Sequence, residues 1–83
     1  MALYMDVHTL GDRVAADDVA RAHAADLAHQ AEYRVNYRRY GVDEAQGKIF
    51  CLVEAPSADA AATVHRRAHG LVADEIYAVH EGS

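Results

Sequence analysis

The chain has a single proline, Pro56, and its surroundings constrain the fold more than any other feature. Residues 48–55 ahead of it form a strongly apolar run with strand character. Pro56 ends that run because it supplies no backbone N–H, and Ser57 behind it can cap a helix. Residues 58–69 then have helical composition until Gly70 offers a left-handed position just past the helix end. A strand feeding directly into a helix is thereby fixed in the second half of the chain.

The remaining elements follow from hydrophobic period. Residues 3–8 alternate Leu3, Met5 and Val7 with Tyr4, Asp6 and His8, the period of a strand whose faces meet different surroundings. Gly11 lies in a connector, and Asp17 with Asp18 supply a cap and favourable charge for a helix over residues 16–33. That stretch is alanine-rich, free of glycine and proline, and sets Val19, Leu27 and Ala31 on one side. Residues 35–42 carry Val35, Tyr37, Tyr40 and Val42, and the following Asp43-Glu44-Ala45-Gln46-Gly47 suits a hairpin loop. A short closing strand spans residues 73–80. The order strand, helix, strand, strand, helix, strand is that of the ferredoxin-like α+β fold, βαββαβ. Right-handed crossovers place both helices on one face of a four-stranded antiparallel sheet. All of residues 1–83 form one domain.

Eighty-three residues bury a small share of their surface, so the stability margin is thin. Disulfides cannot widen it, since Cys51 is the only cysteine, which fits a reducing compartment. The opening residues lack the pattern of a secretory leader, and the longest apolar run, residues 49–53, is too short to cross a bilayer. A cytoplasmic protein with no membrane partner is expected. Thirteen acidic against eight basic residues leave a formal charge of −5, which argues against nucleic acid because phosphate recognition needs a concentrated positive face. Arg38 and Arg39 point to opposite faces of their strand, and Arg66 and Arg67 share a helix with Asp59 and His65.

With Leu3, Met5, Val7, Ile49, Cys51 and Val53 turned toward the helices, the other sheet face presents Tyr4, Asp6, His8, Tyr40, Val42, Phe50, Leu52, Glu54, Tyr77 and Val79. So apolar a face predicts a partner, and two such sheets packed together give a homodimer of the dimeric α+β-barrel kind.

Six histidines carry the chemical signal. Histidine is the commonest metal ligand, although any one of these rings alone reads more readily as a surface residue. His65 and His69 stand four apart, so both lie on one helix face and can converge on one ion. The pair lacks the glutamate of the HExxH protease pattern, having Arg66 in its place. On the first helix His23, Asp26 and Gln30 form a second polar stripe, in which a carboxylate can chelate or orient an imidazole. The fold's topology brings His23 and Asp26 to the level of His65. Asp6 and His8 form a local pair on the opposite sheet face. His29 is expected to be solvated and His80 uninvolved.

Four segments bear a family likeness: Tyr4-Met5-Asp6-Val7-His8, Ala22-His23-Ala24-Ala25-Asp26-Leu27, Phe50-Cys51-Leu52-Val53-Glu54-Ala55-Pro56-Ser57 and Val64-His65-Arg66-Arg67-Ala68-His69-Gly70-Leu71. Nearly end to end, the chain resembles a family of small bacterial ferredoxin-like proteins associated with nickel binding. The resemblance implies a dimer of ferredoxin-like subunits holding nickel through histidine and carboxylate ligands. Such donors equally suit Zn2+, Cu2+ and Co2+. The expected ligands are His23, Asp26, His65 and His69, with His8 and Asp6 in reserve. Sequestration or delivery is expected rather than turnover, because no nucleophile with a nearby base and no phosphate loop is visible. The competing reading is a dimeric barrel enzyme or a small-ligand or haem binder that uses Asp6, His8 and Tyr40 between the sheets. A third is a structural dimer without a site.

Overall fold

The computed structural model describes residues 1–82. Strands β1 (Ala2–Thr9), β2 (Asn36–Asp43), β3 (Lys48–Ala55) and β4 (Glu75–Ala78) alternate with helices α1 (Ala16–His29) and α2 (Ala58–Ala68) in the expected βαββαβ order. The sheet is antiparallel with strand order β2-β3-β1-β4, so β1 and β3 lie at its centre. Helix α1 passes into a 3₁₀ turn, Gln30–Tyr33, where Arg34 adopts a left-handed conformation (φ 59°) and turns the chain into β2. The glutamine of the expected polar stripe serves this turn, its side-chain Oε1 accepting from the Tyr37 N–H at 2.8 Å.

The helix boundaries follow local chemistry. Ser57 caps α2, its hydroxyl accepting from the Ala60 N–H at 3.1 Å. Asp17 and Asp18 do not cap α1, because the N-cap position falls on Ala15. They sit in the first turn, where they act on the helix dipole alone.

The core consists of Val19, Val35, Tyr37, Ile49, Cys51, Val53, Ala55, Ala61 and Val64 between the helices and one sheet face. β3 therefore turns Ile49, Cys51 and Val53 inward as its pattern predicts. β1 does the reverse of its prediction. In an antiparallel pair, directly opposed residues share a face, and Tyr4, Asp6 and His8 stand opposite Val53, Cys51 and Ile49. The polar half of β1 thus lies under the helices, and Leu3, Met5 and Val7 share the open face with Phe50 and Leu52. Alternation sets a strand's period but leaves its sign open, and here pairing with the more apolar β3 decides it.

β2 departs similarly. Its register with β3 slips between Tyr37 and Arg39, a bulge at Arg38, so Tyr37 and Tyr40 both fall on the helix side although three residues apart. On α1, Leu27 is exposed at 45 % and Asp26 is buried at 2 %. Seven residues along a helix return to within about 20° of Val19, whereas eight overshoot by about 80°, so Asp26 occupies the inward stripe.

The β2–β3 hairpin holds the β1–α1 connector in place. Leu10 donates to the Gly47 carbonyl at 2.9 Å, and Val14 to that of Glu44 at 3.1 Å. Gly47 is left-handed (φ +66°), and a Cβ there would stand 1.7 Å from the Asp12 carbonyl oxygen. Gly70 is left-handed too (φ +82°), with open space around it. Gly47→Ala is accordingly expected to cost about 2 kcal/mol or more, strain and backbone overlap combining. Gly70→Ala should cost only about 1 kcal/mol. Denaturant unfolding midpoints of both variants against the parent check this order.

Candidate metal centre

His65 lies one turn before the end of α2, its backbone carbonyl accepting from both His69 and Gly70 N–H groups. Its ring is directed down onto the middle of the sheet and is 1 % exposed. Nδ1 lies 2.9 Å from Asp26 Oδ1 on α1, and Nε2 lies 2.9 Å from Asp6 Oδ2 on β1. One imidazole thus spans two carboxylates contributed by different elements, both almost fully buried.

Tyr37 encloses the site from β2. Its ring lies against that of His65, centroids 4.5 Å apart, and its hydroxyl donates to the Ala61 carbonyl at 2.9 Å and approaches Asp6 Oδ2 at 3.3 Å. Burial and the nearby carboxylates push the phenol far above its ordinary range, so it remains a neutral donor.

His8 completes the floor. Its Nε2 lies 3.3 Å from His65 Nε2 and 3.3 Å from Asp6 Oδ1. Cys51, opposite Asp6 across the strand pair, brings its sulfur to the same point. Asp6, His8, Cys51 and His65 offer one donor atom each, all within 4.8 Å of one another. A second group of the same tightness comprises Asp26, His65 and His69. His65 belongs to both.

Burial by itself disfavours both charged partners, and mutual hydrogen bonding outweighs it. The His65 imidazolium, opposed by desolvation but bonded to Asp26 and Asp6, has its pKa raised from 6.5 to about 9. Asp6, likewise opposed by desolvation, accepts from His65, has the His8 ring beside it and is held at about 2, below its ordinary 3.8. Burial pushes the Cys51 thiol up, with Asp6 adding to the effect, so the sulfur keeps its proton while no cation is present. Burial lowers His69, against the pull of Asp26.

Among the described residues two buried side-chain atoms have no hydrogen-bond partner, Asp6 Oδ1 and His69 Nε2. Each lies near a neighbour, His8 Nε2 at 3.3 Å and Asp26 Oδ1 at 3.0 Å, but without the alignment of a hydrogen bond. Unsatisfied buried atoms of this kind cost free energy unless something else engages them. A cation held by the carboxylate and imidazoles would engage Asp6 Oδ1, so the residues fit a metal ion.

A cleft between α1, α2 and the sheet leads to the cluster, lined by His8, His23, Tyr40, His65, His69 and Leu71 among others. It leaves about 20 Å³ for the centre of a water-sized sphere, room for an ion or a water and too little for an organic ligand.

The structure brings together five of the six expected ligands: Asp6, His8, Asp26, His65 and His69. His23 stays at the mouth of the cleft with its ring against Tyr40, centroids 4.7 Å apart. His29 is exposed, as expected, and bonded to the Ala25 carbonyl, and His80 is exposed. Asp6 and His8 are the correction of consequence. They lie beneath the helices, and the hollow on the open sheet face is lined instead by Met5, Arg39, Tyr40, Gly41, Phe50, Leu52 and Glu81. The competing reading of a barrel enzyme or haem binder loses Asp6 and His8 by this placement, and Tyr40 carries its ring to the helix side against His23. Cys51 was legible only as a core residue and Tyr37 only as a strand residue; strand register sets Cys51 directly against Asp6, whereas Tyr37 pairs with Val53 and reaches Asp6 only through its long side chain.

The family described as "Nickel responsive protein SCO4226-like" matches residues 4–79. The chain belongs to this family. The crystal structure of SCO4226 from Streptomyces coelicolor A3(2) is similar throughout, at 41 % identity over 99 % of this chain and 100 % of that one, with a TM-score of 0.91. No curated protein sequence matches the chain. Both SCO4226-like findings bear out the ferredoxin-like fold and the likeness seen in the four sequence segments.

The two shifted groups predict a pH profile for folding. His65 is raised, so its contribution is complete below about pH 6.5 and disappears as pH climbs through about 9. Asp6 is depressed, so its contribution is complete above 3.8 and disappears as pH falls through about 2. The shared interaction, counted once, is worth roughly 3 kcal/mol. Unfolding midpoints of metal-free protein across this range should show both limbs. In Asp26→Asn the alkaline limb should begin at lower pH, because one of the two anions holding the imidazolium is gone.

Proposed function

We propose that this protein binds a divalent transition-metal ion at the buried centre on α2, α1 and β1, and serves to sequester or deliver that ion. The observation that carries the reading is His65, whose two ring nitrogens each face a buried carboxylate while His8 approaches the same nitrogen as Asp6 and Cys51 brings its sulfur within 4.8 Å of the donor atoms of Asp6, His8 and His65. Loss of one ring proton frees Nε2 toward the ion. The remaining Nδ1–H stays on Asp26, an arrangement that fixes the tautomer and raises the ring's basicity as a ligand. Asp6 and His8 act beside His65. His69 acts through Asp26 at the cleft side, and His23 stands on the way in.

Nickel is the first candidate, since the family is named for a nickel response, and Zn2+, Cu2+ and Co2+ suit the same donors. A role in the cytoplasm accords with the buried free thiol of Cys51 and with the absence, among the described residues, of any helix long and apolar enough to cross a membrane.

Calorimetric titration with nickel at neutral pH tests the reading. One or more ions per chain should bind to the parent protein. His65→Gln should weaken binding by at least about a hundredfold and His69→Ala by about tenfold. Unchanged binding in His65→Gln would remove the buried centre from consideration.

We also propose that the protein acts as a homodimer through the open sheet face. Met5, Phe50, Leu52 and Tyr77 give that face an apolar surface, with Phe50 exposed at 38 % and Tyr77 at 50 %. A second copy offers the same surface in self-complementary form and enlarges the small core. Sedimentation at micromolar concentration should show a species of about twice 9.0 kDa. Phe50→Asp should shift it toward the monomer, and a parent protein sedimenting at 9.0 kDa would end this part of the proposal.

A further inference from the structure

The nitrogen and oxygen donors above leave one member of the cluster unused. We infer that Cys51 is itself a metal ligand, closing with Asp6, His8 and His65 a four-donor site of the tetrahedral, zinc-like class. The inference rests on the metal-binding reading and names the kind of cation that the inner part of the centre would hold.

A buried cysteine in a core strand ordinarily acts as a small apolar side chain. Three observations set Cys51 apart. It is paired directly across β1 and β3 with Asp6, so a carboxylate stands beside a thiol in the interior. Its sulfur lies within 4.8 Å of donor atoms of Asp6, His8 and His65, and all four residues are buried. Asp6 Oδ1, inside this group, is a fully buried oxygen without a hydrogen-bond partner.

The spacing suits a small ion. Four donors about 2.0–2.3 Å from a zinc-like ion stand about 3.3–3.7 Å apart when arranged tetrahedrally. His8 Nε2 and His65 Nε2 are 3.3 Å apart, and Asp6 Oδ2 and His65 Nε2 are 2.9 Å apart. Small adjustments of buried side chains would therefore complete the arrangement.

On binding, the S–H bond of Cys51 and one N–H bond of His65 break, both protons pass to solvent, and sulfur and nitrogen each direct an electron pair to the cation. No oxidant or reductant is involved. The donor set also orders the candidate ions. Thiolate with imidazole in a closed tetrahedron suits zinc and cobalt(II), whereas nickel favours square-planar or more highly coordinated surroundings.

Cobalt(II) chloride, added anaerobically to reduced protein, is the probe. The parent protein should develop a thiolate-to-cobalt charge-transfer band in the near ultraviolet and the intense visible bands of tetrahedral cobalt, and equimolar zinc should abolish both. Cys51→Ser should lose the charge-transfer band and bind cobalt at least about tenfold more weakly. His65→Gln should lose both sets of bands. Cobalt uptake without the charge-transfer band, or an unchanged affinity in Cys51→Ser, would overturn the assignment of Cys51 and leave the Proposed function standing, whereas bands that survive in His65→Gln would overturn the four-donor site by removing His65 from it. Absence of cobalt and nickel uptake in the parent would overturn both. Should Cys51→Ser fail to fold, the parent spectrum decides by itself, since no other cysteine is present to give such a band.

Discussion

The structure is organised around a charged ring held in a dry place. Desolvation alone would strip the proton from His65 and return it to Asp6, and only the placement of an anion on each side of the imidazole reverses this. That requirement fixes three elements at once. α2 must lie where His65 reaches the sheet, β1 must turn its polar face inward, and α1 must present Asp26 rather than Leu27. Tyr37 then fills the remaining side and donates to the α2 backbone at Ala61, tying β2 into the same network.

Such a network is a poor way to gain stability. A domain of 83 residues has a total margin of about 4–12 kcal/mol, and orphaning one member of a buried ion pair costs about 3–5 kcal/mol. An apolar residue at each of these positions would serve a small core at least as well. The two unsatisfied atoms add to the cost. The proposed function gives a centre this expensive to a small fold a physical rationale: as a receptacle, it would let a dication replace protons and complete the coordination of groups that are imperfectly paired without it.

Most of the architecture was legible from local signals. Pro56, Ser57 and Gly70 bracket α2, the absence of glycine and proline marks α1, and the glycine that ends the hairpin loop is required by its backbone conformation. The pairing of His65 with His69 was legible as helical spacing, and Asp26 as a stripe partner. What local signals missed was the face of β1. Leu3, Met5 and Val7 look like the buried set because they are apolar, yet Asp6 and His8 are the buried residues. Hydrophobicity identifies the inward face only where that face is a hydrophobic core, and the centre of this sheet is a polar site.

The sequence by itself determined the order of elements, the fold family and the presence of donor residues, since each depends on periodicities and breakers acting over a few residues. The tertiary structure alone decided which donors meet. Register between β1 and β3 set Asp6 against Cys51, a bulge at Arg38 brought Tyr37 to the helix side, and helix placement put Asp26 beside His65. These are contacts between residues dozens of positions apart, and no local pattern can carry them because one residue's shift in register exchanges the faces of a strand.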